Sequence, residues 1–153
     1  MLTRQTGNAH EDFRALTRAL DAELNARYGA MQAAYDRHNV IDPIETALVS
    51  YEGTTPMACG CFKIIDAQTV EIKRMFVMPA YRRRGFSSRI LAELESWACT
   101  LGYQRARLET GKSQPEAIAL YRKCGYEVVE NFPPYVGMDN SVCMQKSLRS
   151  NDG

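Results

Sequence analysis

What most narrows the fold of this chain is the regular change of hydrophobic period between residues 69 and 130. The segment TVEIKRMFV (69–77) alternates, with Val70, Ile72, Arg74 and Phe76 on one face and Glu71, Lys73, Met75 and Val77 on the other, and Pro79 ends it. Next, Ile90, Leu91, Leu94, Trp97, Ala98 and Leu101 recur at helical spacing, and Gly102 closes the stripe. QRARLET (104–110) predicts a further strand. Ser113 with Glu116 three residues later predicts a capping box, opening a helix that stops near Cys124 with Gly125 behind it. Residues 126–130 and 141–148 predict the last strands, on either side of a loop holding Pro133, Pro134 and Gly137. Strand, helix, strand, helix, strand in one short span predicts a largely parallel stretch of sheet with helices packed on it.

Upstream the pattern is helical over residues 11–28, where Phe13, Leu16, Leu20 and Leu24 form one stripe that Gly29 interrupts. A short helix is predicted at 30–37, and Asp42-Pro43 marks the loop leaving it. Residues 46–52 and 57–65 predict an antiparallel hairpin turning at Gly53 to Pro56. The expectation is an α/β protein with a mixed central sheet and flanking helices. Its 153 residues fit one domain over 1–149, with 150–153 as a frayed tail.

Several function classes are set aside by composition. No stretch reaches the ~18 apolar residues of a membrane span. Residues 1–20 carry Arg4, Glu11, Asp12, Arg14 and Arg18 in place of a signal peptide's apolar core, so a cytoplasmic protein without membrane partners is expected. The five cysteines (59, 61, 99, 124, 143) include no CxxC pair and the histidines are His10 and His38, which argues against a disulfide framework or a metal site. Cys59 and Cys61 share a face of a predicted strand and read as buried thiols. Three adjacent arginines and a pI near 7.6 do not make a nucleic-acid surface. The charge is uneven all the same. Residues 1–69 hold six Lys/Arg against nine Asp/Glu, a balance of −3, and residues 70–153 hold thirteen against nine, a balance of +4, so an anion finds the better field in the second half.

The segment with most chemistry in it is 77–88, VMPAYRRRGFSS, which joins a strand to a helix through a short turn. A helix's first turn leaves about four amides without intrahelical partners, and its dipole places about half a positive charge there. Gly85 permits close approach of the main chain to a phosphate, small Ser87 a second approach, and arginines at the rim add charge-assisted bonds. Neither GxGxxG nor GxxxxGK[ST] is present. On these residues alone a solvated basic loop is the competing reading.

Arg82-x-x-Gly85-x-Ser87 resembles the acetyl-CoA signature Q/R-x-x-G-x-G/A of the Gcn5-related N-acetyltransferases, the GNAT family, with Ser87 in place of Gly or Ala. Some thirty residues on, Gln114-Pro-Glu-Ala117-Ile-Ala-Leu-Tyr121-Arg-Lys-Cys-Gly125-Tyr126 is similar to that family's N-x-x-A-x-x-x-Y-x-x-x-G-F run. The likeness covers roughly residues 46–148. It implies a sheet whose fourth and fifth strands splay apart, with acetyl-CoA's pantetheine arm along the main chain of Met75, Phe76 and Val77. Its diphosphate would lie on the turn of Arg82, Arg83, Arg84, Gly85, Phe86, Ser87 and Ser88, with Gln114 also at the cofactor. It implies direct transfer of acetyl to an amine, without an acyl-enzyme or a metal, with Glu71 as base and Tyr121 as acid. For Glu71 the alternative is an ion pair with Lys73 or an exposed strand position, and for Tyr121 simple packing beside Ile118. Glu109 and Tyr135 are weaker pocket candidates. The acceptor implied is a small amine or amino acid, with a protein or peptide amine and a non-catalytic acyl-CoA sensor as alternatives. Residues 28–35 and 131–140 would set that choice, and a homodimer is common in the family.

Overall fold

The computed structural model describes residues 2–28 and 43–148. Its strands are β1 (Leu2–Thr6), β2 (Ala47–Glu52), β3 (Thr55–Ile64), β4 (Thr69–Val77), β5 (Arg105–Gly111), β6 (Glu127–Val129) and β7 (Ser141–Ser147). Its helices are α1 (Glu11–Tyr28), α2 (Phe86–Thr100) and α3 (Pro115–Lys123), with one 3-10 turn at Pro79–Tyr81. The strands form one mixed sheet in the order β1-β2-β3-β4-β5-β7-β6. The short helix predicted at 30–37, the interruption at Gly29 and the tail at 150–153 lie outside the described residues.

The described residues fall into two units. The first comprises residues from 1–63 and 73–94. In it β1, β2 and β3 are antiparallel neighbours, and the β2–β3 hairpin turns on Gly53 and Thr54, with Glu52 paired to Thr55. The turn is therefore shorter than expected. Gly53 supplies a left-handed φ of +60°, and Pro56 lies inside β3 opposite Tyr51, beside a register shift at Ser50/Tyr51. Strand β1 was not legible in the sequence: LTRQT has little apolar content and occupies a sheet edge, with Leu2 exposed. Of the predicted stripe of α1, Phe13 and Leu16 are buried in one cluster with Ala47, Val49, Tyr51, Cys59, Cys61 and Phe76, and Leu20 packs partly buried against it. Gly60 belongs to another contact: a Cβ there would stand 2.5 Å from the Met75 sulfur and 3.0 Å from both Ile90 and Leu94 of α2.

The second unit comprises residues from 64–72 and 95–153. Here the start of β4 pairs parallel with β5 (Thr69 with Arg105, Val70 with Ala106, Glu71 with Arg107), and β5 pairs antiparallel along its length with β7, which pairs with β6. The parallel ladder ends at Glu71, while β4 continues to Val77 and β5 to Gly111. The capping box expected at Ser113 does not form. Gln114 is the N-cap, without a side-chain cap bond, and Pro115 takes the first helical position, where a missing N–H costs nothing. Leu101, placed on the apolar stripe of α2 by its spacing, lies just past the helix end and is exposed.

Candidate active site

The arginine turn leaves β4 through the 3-10 turn, closed by Tyr81 N–H donating to the Met78 carbonyl and Arg82 N–H to the Pro79 carbonyl. Two residues then take left-handed conformations, Arg83 at φ +66° and Gly85 at φ +79°, and α2 starts at Phe86. Arg89 N–H donates to the Gly85 carbonyl, which makes Gly85 the residue that opens the helix. Among the described residues no backbone acceptor pairs with the amides of residues 83–87. A left-handed pair beside a helix start is the main-chain geometry that turns successive N–H groups toward one anion.

The three arginines are not alike. Arg82 turns back on the chain: its Nε donates to the Val77 carbonyl at 2.9 Å, a terminal nitrogen meets Glu23 of α1 at 2.7 Å, and its guanidinium lies 5.4 Å from the Phe76 ring centre. That side chain braces the turn. Arg84 stacks toward Tyr81 at 5.7 Å, and Arg83 is exposed, so these two are the rim cations. Strand β4 carries its own irregularity at Arg74, whose φ of +59° is rare for a residue with a Cβ. The Arg74 side chain is only 8% exposed and pairs with Asp21 of α1 at 2.9 Å, while its Nε has no partner among the described residues. The Cys61 and Cys59 thiols donate to the Lys73 and Arg74 carbonyls, both at 3.4 Å. Burial pushes both thiols up, Cys61 to about 12, so neither supplies a thiolate nucleophile.

In the second unit Glu71 is buried, with 4% of its surface exposed, and the cation it meets is Arg107 of β5, Nε to Oε1 at 3.0 Å. The Arg107 guanidinium lies 3.9 Å from the Phe132 ring centre. The Tyr135 hydroxyl donates to Glu71 Oε2 at 3.5 Å. Burial first, then Glu71, Glu109 and Cys143, push the Tyr135 phenol far up, so it acts only as a donor. Glu109 accepts a 2.7 Å bond from Ser141.

Tyr121 is the buried residue of α3, edge-on to Tyr126 at 6.0 Å between ring centres. Burial, followed by Cys124 and Glu109, pushes its phenol to about 12. It therefore keeps its proton under ordinary conditions, and is a weaker acid than the ~10 of a free phenol. The Gln114 backbone N–H donates to the Gly111 carbonyl at 3.0 Å, and its side chain makes no cap bond to α3.

The family model described as Acetyltransferase (GNAT) family matches residues 12–126. The chain belongs to this family. Like its relatives it is an N-acetyltransferase enzyme of GNAT type. It is 34% identical over 132 residues to an IAA acetyltransferase of Azospirillum brasilense, covering 82% of this chain and 86% of that one. Among solved structures, one from Klebsiella pneumoniae assigned to the acyl-CoA N-acyltransferases is 27% identical, with a TM-score of 0.80 over 97% of each chain. A GNAT family acetyltransferase from Elizabethkingia anophelis, solved with acetyl-CoA bound, has the same fold at 18% identity, a TM-score of 0.59, and coverage of 66% and 74%.

Residues 82–85 lie in the turn between β4 and α2, residues 86–88 open α2, and Met75, Phe76 and Val77 end β4. Arg107 and Phe132 were missed. Arg107 reads as one charged position in an alternating strand, and Phe132 as one aromatic in a proline loop; 36 residues separate Arg107 from Glu71. Their one sequence trace is the parallel register itself, which sets Arg107 opposite Glu71 once β4 and β5 are paired in step.

Proposed function

We propose that this enzyme transfers acetyl from acetyl-CoA directly to the primary amine of a small molecule or amino acid. The observation that carries the cofactor half is the left-handed Arg83/Gly85 turn opening α2, whose amides have no backbone acceptor among the described residues. Those amides receive the diphosphate, with Arg83 and Arg84 adding charge at the rim and Arg82 holding the turn's shape. The acetyl-CoA complex of the Elizabethkingia neighbour supports the same cosubstrate here. Main-chain groups of Met75, Phe76 and Val77 take the pantetheine arm, and an amide in this stretch faces the oxyanion as it forms.

Chemistry proceeds by attack of the neutral amine nitrogen on the thioester carbonyl carbon. The C–N bond forms and the C–S bond breaks; nitrogen gives up one proton and the departing sulfur takes up one. Glu71 takes the amine's proton, directly or through a water. Tyr121 serves the sulfur. A thiol ionises near ~8.5, so complete transfer from a phenol that burial holds at about 12 is uphill. Tyr121 accordingly works as a hydrogen-bond donor to the leaving thiolate, passing its proton on only as charge builds there. The buried cysteines take no part, since attack is direct and their thiols are held protonated.

The test is a thiol-release screen of the purified enzyme with acetyl-CoA against a panel of small amines, amino acids and peptides, beside calorimetry with acetyl-CoA alone. Tight cofactor binding with turnover on small amines is the expected result. Turnover confined to peptides moves the acceptor to protein amines, and binding without turnover on any amine makes the chain a sensor.

A further inference from the structure

The carboxylate of Glu71 has a separate partner at each oxygen, and both partners depend on one loop. At Oε1 stands Arg107, the face of its guanidinium 3.9 Å from the Phe132 ring centre. At Oε2 stands the Tyr135 hydroxyl, at a distance of 3.5 Å that is long for an O–H···O bond and leaves room to tighten when a ligand enters. Phe132 and Tyr135 are themselves packed edge to face, ring centres 5.8 Å apart. The loop that carries them is tied by its own polar groups: Asn131 Nδ2 donates to the carbonyls of Tyr135 (3.1 Å) and Met138 (3.2 Å), and Tyr135 N–H donates to the Phe132 carbonyl at 2.7 Å. Its far end closes onto β7 through Ser141 N–H donating to the Met138 carbonyl. The tyrosine is among the largest fully buried side chains of the protein, although its flanking residues Pro134 and Val136 are exposed. A loop that buries one phenol so deeply, and spends its asparagine on holding that phenol's own carbonyl, is shaped to deliver the hydroxyl to one place.

We propose that the 131–138 loop is the positioning element for Glu71, with Phe132 bracing Arg107 at one carboxylate oxygen and Tyr135 closing on the other. The proposal rests on the reading of Glu71 as proton acceptor. The physical reason is directional. A glutamate side chain has three rotatable bonds, and a proton acceptor is effective only with one lone pair held toward the nitrogen it serves. Arg107 Nε anchors one carboxylate oxygen at 3.0 Å, and the contact of its guanidinium with Phe132 restricts the arginine's own rotation. Tyr135 then selects the rotamer through the other oxygen. On this account the loop orients the base, and 131–138 is not solely a determinant of acceptor choice.

The experiment is a double-mutant cycle on the full chain, read as kcat and KM with both substrates varied. Tyr135→Phe and Phe132→Leu are each expected to lower kcat about tenfold while leaving the KM for acetyl-CoA unchanged, and Asn131→Ala to do the same more weakly. In a Glu71→Gln background the further loss from Tyr135→Phe or Phe132→Leu is expected to vanish, because there is no longer a base to orient. Losses that multiply in full in that background overturn the proposal, as do loop variants with wild-type kcat. If Glu71→Gln itself turns over like wild type, the reading of Glu71 as base falls and the positioning role falls with it; if Glu71→Gln is slow and the loop variants are inert, only the positioning role falls. Asn131→Ala, which removes no aromatic surface, keeps the test decisive should Phe132→Leu fail to fold.

Discussion

The proposed diphosphate seat depends on one backbone angle, that of Gly85. At φ +79° a Cβ costs about 1–2 kcal/mol, and nothing lies within 4 Å of the position a Cβ would occupy. Gly85→Ala is therefore expected to lose stability by about that much through strain alone, measured by chemical denaturation. Gly85→Glu adds a carboxylate beside the proposed diphosphate seat, and is expected to lower acetyl-CoA affinity more than a hundredfold by calorimetry, with the fold retained; an affinity equal to wild type removes the turn from the binding site. Tyr121 makes a second residue-scale case. Its proton is held to about 12, so the rate should show no alkaline loss from this group until that pH is approached. Tyr121→Phe keeps the buried ring and removes the donor, so kcat should fall about a hundredfold with acetyl-CoA affinity nearly unchanged. Wild-type turnover at saturating amine removes it from the reaction.

Among elements, the tie between α1 and β4 within the first unit decides the most. Arg74 sits in a left-handed conformation inside a strand, with its side chain nearly covered and Asp21 as its charge partner. Asp21 is about half exposed, so water screens the pair in part, and Asp21→Asn is expected to cost about 2 kcal/mol, below the range for breaking a fully buried pair. A midpoint unchanged by thermal melting would mean the pair contributes nothing to holding α1. Gly60→Ala tests the other side of β4: its methyl would press on Met75, Ile90 and Leu94, for an expected loss of about 1–3 kcal/mol. The sequence conveyed these elements unevenly, for physical reasons. α1 and β4 were legible to the residue because their apolar spacing is regular, as was the turn between β4 and α2, where composition and position coincide. β1 escaped because a polar edge strand has no period to read, and the hairpin turn was misjudged because Pro56 can sit within a strand beside a bulge. Of the candidate site, Tyr121 was singled out by a motif and Glu71 by its position on the strand. Its surroundings were not, because Arg107 and Phe132 matter only once strands far apart in the chain are paired.

For the whole molecule, burial of phenols couples stability to alkaline pH. Of eight tyrosines, Tyr51 and Tyr121 are pushed to about 12, and Tyr126 and Tyr135 further still, by burial first and then by neighbouring carboxylates or other acidic side chains. In the unfolded chain each ionises near ~10. Below that pH both states hold the proton, and these groups leave stability independent of pH. Above it the unfolded state releases protons that the folded state keeps, so the free energy of unfolding falls as pH rises, until the folded-state value is passed. For Tyr121 alone the loss by pH of about 12 is about 2 kcal/mol. That is a large share of the roughly 5–15 kcal/mol that holds a domain of ordinary stability, and Tyr51, Tyr126 and Tyr135 act in the same direction. The protein should therefore lose its structure in one steep alkaline transition, with the absorbance of these four phenolates appearing together with the loss of circular dichroism. In Tyr121→Phe the transition should move to higher pH and release about one proton fewer, because the group that drives part of it is gone. Phenolate absorbance that reaches the amplitude of all eight tyrosines near ~10 while the fold persists would show these four hydroxyls open to water, and with that both the donor role of Tyr121 and the hold of Tyr135 on Glu71 would lose their physical basis.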